Sequence, residues 1–167
     1  WQVPSSVTTG TYVVTVAATD TNSRPYAGSE SLDLSIDPMF YLDANGVTIK
    51  CSGCSAGDTG YIGNVLYTAH NNTSIADKSA SDTDWDRVVT TLVTDMSGLF
   101  QDNSSFNQDI SSWDTSSVNN MQGLFQRAES FNQNIGDWDT SNVTDMRYMF
   151  KEAREFNNGD ASGVSSN

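Results

Sequence analysis

The sequence predicts an α+β chain: a short repeat solenoid with one strand and one short helix per repeat, preceded by a β-rich cap and an N-terminal two-stranded β-ribbon. Three observations carry this. The stretch 93–157 repeats with a period of 25 residues and no insertions. Two separate regions before it alternate apolar and polar residues over strand-length runs. Uncharged Ser, Thr, Asn and Gly dominate the polar positions, which suits tight turns and an outer surface. The organisation read from these signals is a ribbon at 1–37, a cap at 38–92, repeats at 93–159 and a polar tail at 160–167.

The ribbon rests on 12–18 and 32–36, two alternating runs joined by a polar loop holding Asn22, Pro25 and Gly28. The first run resembles the penultimate strand of an immunoglobulin- or cadherin-like sandwich, and the second resembles its last. Two strands do not make a sandwich of about seven. Either further strands lie upstream, or the ribbon completes a sheet supplied by a neighbour.

In the cap, 39–42 and 47–51 flank Asp43-Ala44-Asn45-Gly46, a hairpin with Asn-Gly at its turn. A second hairpin joins 61–62 to 65–69 through Gly63-Asn64. The run 85–92 reads as helix-like and leads into the repeats, shielding the first of them.

Within the repeats, Val93, Val118 and Val143 align, as do Met96, Met121 and Met146; Phe100, Phe125 and Phe150; and Phe106, Phe131 and Phe156. Ile110 and Ile135, Trp113 and Trp138, and Asp114 and Asp139 complete two copies. Met96, Leu99 and Phe100 fall at i, i+3 and i+4, the spacing of one helix face, and Asp95 and Asp145 sit where a helix start favours a carboxylate. Thr94 or Thr144 is placed to cap. A polar turn with Phe-Asn-Gln follows, then an extended stretch ending in Trp-Asp. A unit this small does not bury its own aromatic residues, so identical units are expected to stack with strands about 4.8 Å apart, aligning Asn107, Asn132 and Asn157 in a ladder.

Val-Thr-Asp-Met-Ser-Gly-Leu-Phe, Phe-Asn-Gln-Asp-Ile-Ser-Ser-Trp-Asp and Val-Thr-Asp-Met-Arg-Tyr-Met-Phe resemble the 25-residue repeats of BspA-like leucine-rich-repeat surface proteins. The resemblance covers the repeats, and the segment before them is similar to the family's N-terminal lead-in. It implies a bacterial or phage-borne surface protein with a leucine-rich-repeat-like solenoid, associated with adhesion and protein binding, and it brings no catalytic residues. Where relatives carry a second cysteine just before the first repeat, this chain has Val89, which leaves Cys54 as the replacement partner of Cys51.

The chain carries 21 Asp and Glu against 8 Lys and Arg, a net charge of −13. Nucleic acid and anionic membrane surfaces repel such a chain, so cations or other proteins are the expected partners. No apolar stretch approaches the roughly 20 residues of a membrane span. The first residue is Trp1, so any signal peptide is expected to have been removed or to lie upstream. Cys51 and Cys54 lack the further ligands of a zinc site, and a local disulfide in an oxidising compartment is read over free thiols, which stay the alternative.

Other candidate chemistry is thin. Asp82, Asp84 and Asp86 have the first spacings of an EF-hand loop, but Arg87 stands where glycine is needed and Val93 where the bidentate acid belongs. A looser calcium site at Asp20, Asp33 and Asp37 stays open; no other cofactor is expected. His70 has no serine or cysteine motif around it, and the glycines of 57–63 lack the lysine of a phosphate-binding loop. Four glycosylation-type triplets, at Asn71, Asn72, Asn103 and Asn142, are expected by chance in so Asn-, Ser- and Thr-rich a chain.

The expectation is a non-catalytic, extracellular or surface-displayed protein that recognises a protein or glycan through the strand-ladder face bearing Ser111, Ser112, Asp114, Gly136, Asp137 and Asp139. The rival is a structural subunit of a virion, fibre or filament that assembles with copies of itself through the ribbon and the open repeat end. A third class is an accessory domain of a secreted hydrolase.

Overall fold

The computed structural model describes residues 39–159. The expected ribbon and tail, with Asp20, Asp33 and Asp37, lie outside the described residues. Within them the fold is β-rich, of α+β type: two small sheets, one short α-helix and one 3-10 turn.

Strands β1 (Met39–Leu42) and β2 (Ile49–Ser52) pair antiparallel. Their turn is set by Asn45, whose Oδ1 accepts the N–H groups of Val47 and Thr48 at 3.0 and 2.9 Å, and by Gly46 at φ +74°. Strands β3 (Thr59–Ile62) and β4 (Val65–Asn71) form the second hairpin, and β5 (Val88–Leu92) lies parallel to β4. The run 85–92 is therefore a 3-10 turn at Trp85–Arg87 followed by a strand, since β-branched Val88, Val89, Thr90 and Thr91 favour the pleated form. Phe40 packs directly over Gly60, where an added Cβ would stand 2.2 Å from the Phe40 ring. Phe40, Ile49, Cys51, Ala69 and Val89 form the small core beneath, and Cys51 and Cys54 are joined in a disulfide.

Helix α1 (Asn72–Ala76) starts on a capping box in which Asn71 Oδ1 accepts the Ser74 N–H while Ser74 Oγ accepts the Asn71 N–H. It carries Ile75 into the main core.

No helix forms at Met96, Leu99 and Phe100 or at their equivalents, contrary to the expectation of one per repeat. Each unit instead runs through linked tight turns. In the first, Leu99 N–H bonds Met96 C=O, Gln101 N–H bonds Gly98 C=O and Asn103 N–H bonds Phe100 C=O. Gly98 and Asp102 take φ values of +63° and +64°, which a right-handed helix forbids. Met96 and Phe100 are buried and Leu99 packs against the same core, so the linked turns bring inward the residues that a helix would. The alternate N–H groups leave the unit: those of Met96, Gly98, Phe100 and Asp102 bond the C=O groups of Asn120, Gln122, Leu124 and Gln126 at 2.9–3.0 Å, and Met121, Gly123, Phe125 and Arg127 repeat this onto the third unit.

The expected strands around Trp113 and Trp138 are also absent. Parallel bridging occurs instead at Asp95, Asn120 and Asp145. Asp109, Asp114, Asn134 and Asp139 each accept the N–H two residues ahead, a side-chain turn that competes with strand pairing. The asparagine ladder does form: Asn107 Oδ1 accepts the Asn132 N–H, and Asn132 Oδ1 the Asn157 N–H, both at 2.9 Å.

The core is built of aromatic columns. Phe100, Phe125 and Phe150 stack at 5.7 and 5.6 Å, Phe106, Phe131 and Phe156 at 5.9 and 5.7 Å, and Trp113 on Trp138 at 6.0 Å. The same register extends upstream of Val93. Trp113 Nε1 donates to Trp85 C=O as Trp138 Nε1 does to Ile110 C=O. Thr90 Oγ1 donates to Asp114 C=O as Thr115 Oγ1 does to Asp139 C=O. Trp85 and Thr90 lie 25 residues before Ile110 and Thr115. Asn72 closes this end of the stack, its Oδ1 accepting the N–H groups of Thr94 and Asp95 at 2.8 and 3.2 Å.

Candidate functional site

The β1–β2 hairpin leans onto the repeats through one main-chain bond, Ile49 N–H to Ser112 C=O at 2.8 Å. That contact divides the contact face expected from sequence. Ser111 and Ser112 are half-buried, and Asp114 is only 2% exposed, with its Oδ1 accepting from the N–H and hydroxyl of Ser116. Asp114 is thus part of the support of the face rather than a displayed group. Gly136, Asp137 and Asp139 are exposed.

A small groove of about 90 Å³ runs where the hairpin meets the second and third units. Asp114, Asp137 and Asp139 line it from the repeats, and Asp43, Asn45, Thr48 and Lys50 from the hairpin. Ser111, Ser112 and Gly136 are not among its lining residues. The hairpin half was invisible in the sequence, because it arrives through a main-chain bond spanning more than sixty residues that leaves no local pattern. Lys50 pairs with Asp43 at 2.8 Å. This bond raises the Lys50 pKa and lowers that of Asp43, which also accepts the Ala44 N–H. Asp139 is lowered by the hydroxyl and N–H of Ser141. Four carboxylates beside one ammonium leave the groove acidic, so it favours a cationic partner group.

Two other acids hold a lysine. Asp82 and Asp84 both bind the largely buried Lys78, whose ammonium also lies 5.2 Å from the centre of the Trp85 ring. Burial costs Lys78 solvation, but the hydrogen bonds its ammonium donates to Asp84 and Asp82 outweigh that and raise its pKa. Two of the three acids with EF-hand-like spacing thus clamp a lysine, and the third, Asp86, lies 4.0 Å from Arg87 Nε. Among the described residues no group of three or more His, Cys, Asp or Glu is arranged to hold a metal ion. His70 is partly buried, its Nδ1 has no hydrogen-bond partner, and burial lowers its pKa. Of the Asn triplets, Asn71 caps α1, Asn72 caps the stack, and Asn142 Nδ2 donates to Ser116 C=O at 2.7 Å.

Among the described residues no helix is long and apolar enough to cross a membrane. Residues 67–166 match a family model described as "Mycoplasma protein of unknown function, DUF285". No curated protein and no solved structure matches the chain.

Proposed function

Because the chain belongs to the DUF285 family, whose description assigns no activity, we propose from its own residues that it is a non-catalytic, surface-displayed recognition protein. On this reading it is a relative of the BspA-like leucine-rich-repeat proteins, with a short repeat solenoid as the scaffold, and it works outside the cell. The observation that carries the proposal is the acidic groove between hairpin and repeats, which places Asp137 and Asp139 at the surface beside Asp43 and Lys50. A basic segment of a partner protein fits this chemistry. Support also comes from Asp109, Asn134 and Asp145, whose side chains accept N–H groups of their own turns.

The test is binding to a panel of immobilised extracellular matrix proteins and lysine-rich peptides at several salt concentrations. Binding that weakens with salt, and falls about tenfold in Asp137→Asn/Asp139→Asn, supports the reading. Salt-independent binding that the double variant leaves intact refutes it.

One observation favours a structural role as a second reading. The N–H groups of Met146, Tyr148, Phe150 and Glu152 occupy the interlayer positions of the third unit and meet no main-chain acceptor among the described residues. A row of donors takes up a segment that offers carbonyls. Light scattering across protein concentration tests it: growth in mass supports assembly, and a constant monomer mass opposes it.

A further inference from the structure

A second groove, of about 270 Å³, lies along the linked turns and is lined by Ser97, Gly98, Gln101, Gln122, Gly123, Gln126 and Tyr148. It shares no lining residue with the acidic groove. We propose that it binds a short, uncharged oligosaccharide, with Tyr148 as the stacking platform.

In a chain of net charge −13, no charged side chain contributes to the lining. Carboxylates are absent from the lining, so a metal ion finds no ligand there, and the Lys151 ammonium that lies over the Tyr148 ring is not itself a lining group. Three primary amides and one hydroxyl remain, groups that both donate and accept; Gln101 Nε2 also donates to Asp102 Oδ2 at 3.4 Å and the Ser97 hydroxyl to Asp95. That supply matches a ligand whose own surface is hydroxyl groups. The glycines leave the groove floor open: a Cβ at Gly123 would meet Gln126 Oε1 at 3.3 Å and Gln101 Oε1 at 3.7 Å. The amides of successive layers therefore converge over a bare stretch of backbone.

Tyr148 supplies the apolar element. It stands at the turn position that Gly98 and Gly123 fill in the two preceding units, and like them it has a positive φ, +60° against +63° and +61°. A bulky side chain in that conformation is costly, and such strain gathers at functional sites. The ring is 60% exposed, so core packing does not explain its presence. Lys151 Nζ sits 5.6 Å from its centre and helps fix the ring. An exposed aromatic face beside hydrogen-bonding amides fits a sugar, which pairs an apolar C–H face with a polar rim. The volume falls just under the roughly 300–1,000 Å³ of drug-sized ligand clefts, which limits the ligand to a short glycan.

The test titrates the full chain with cellobiose, N,N′-diacetylchitobiose, lactose and maltose, and with an uncharged Gly-Ser peptide, read by NMR chemical shifts. The expected result is saturable binding of at least one sugar that perturbs Gln101, Gln126 and Tyr148. Tyr148→Gly restores the residue used by the other units, so its melting temperature is expected to be unchanged or higher while sugar affinity falls tenfold or more. Gln126→Ala is expected to lose affinity without unfolding. Binding of none of the sugars, sugar binding untouched by Tyr148→Gly, or saturation by the peptide alone overturns the proposal. The partner panel is run with the same variant. Loss of sugar binding with matrix-protein binding retained shows two independent sites, and an acidic-groove failure leaves the sugar result standing.

Discussion

Truncating Phe125 tests whether the aromatic columns carry the stability of the stack. Phe125 is fully buried, with Phe100 and Phe150 at 5.7 and 5.6 Å above and below, and Phe131 and Trp138 at 3.8 and 6.2 Å beside it. Phe125→Ala removes a ring whose loss from a buried site costs about 3–5 kcal/mol, and neighbours held by the interlayer hydrogen bonds have little freedom to collapse into the space. Phe150 is the same residue in the same column, but it is half-buried, and its described ring neighbours are Phe125 and Phe156 alone. Phe150→Ala is expected to cost about half as much, roughly 2 kcal/mol. Urea unfolding measures both. With a slope of about 2 kcal/mol per molar, the midpoint falls by about 2 M for Phe125→Ala and about 1 M for Phe150→Ala. Equal losses, or a larger loss at Phe150, would refute the reasoning, because stability would then not depend on being sandwiched between layers.

Three further outcomes follow from the geometry. Gly60→Ala pushes a methyl group into the Phe40 ring and is expected to cost about 1–3 kcal/mol by thermal unfolding, with part recovered when Phe40→Leu is added; a neutral Gly60→Ala contradicts the contact. Asn72→Ala leaves the N–H groups of Thr94 and Asp95 without their acceptor and should cost about 1 kcal/mol, with faster hydrogen exchange at those two amides than at Met121. Asp145 is held at about 2, against an ordinary 3.8, by the Arg147 guanidinium and the Arg147 N–H. The lowered value makes its contribution full above the unfolded pKa and lost as the pH falls through about 2. The melting-temperature gap between wild type and Asp145→Asn should therefore be present at neutral pH and close between pH 3.8 and 2, whereas a pH-independent gap counts against it.

The sequence showed the repeat and its buried positions because stacking requires the same apolar residue at each 25-residue step, and a strict period survives in the letters. It misreported the local conformation for a physical reason. An i, i+3, i+4 pattern states which residues share a side, and linked turns satisfy it as well as a helix does. Gly98 and Gly123 were the available signs that the backbone is not helical, and Asp109 and Asp114, which form side-chain turns, that the stretch around Trp113 is not a strand. Trp85 and Thr90 were missed as members of the register because their hydrogen bonds repeat while their identities only partly do: Trp85 stands for Ile110, Thr90 for Thr115. The acidic groove was half legible. Asp137 and Asp139 were named from their place in the unit, but Asp43 and Lys50 reach it through a hairpin whose docking no local pattern encodes.

The uniform spacing of the interlayer bonds restricts how the gene can change length. Met96 N–H meets Asn120 C=O, Gly98 meets Gln122 and Phe100 meets Leu124, always 24 residues ahead. Inserting or deleting a single residue inside a unit shifts every later donor off its acceptor. Removing 118–142 whole joins Ser117 to Val143 and offers Met96 the carbonyl of Asp145, the same bond it makes now with the next copy along. Recombination between copies therefore adds or removes complete layers at little structural cost, and the stack can vary its length in discrete steps while each layer keeps its shape.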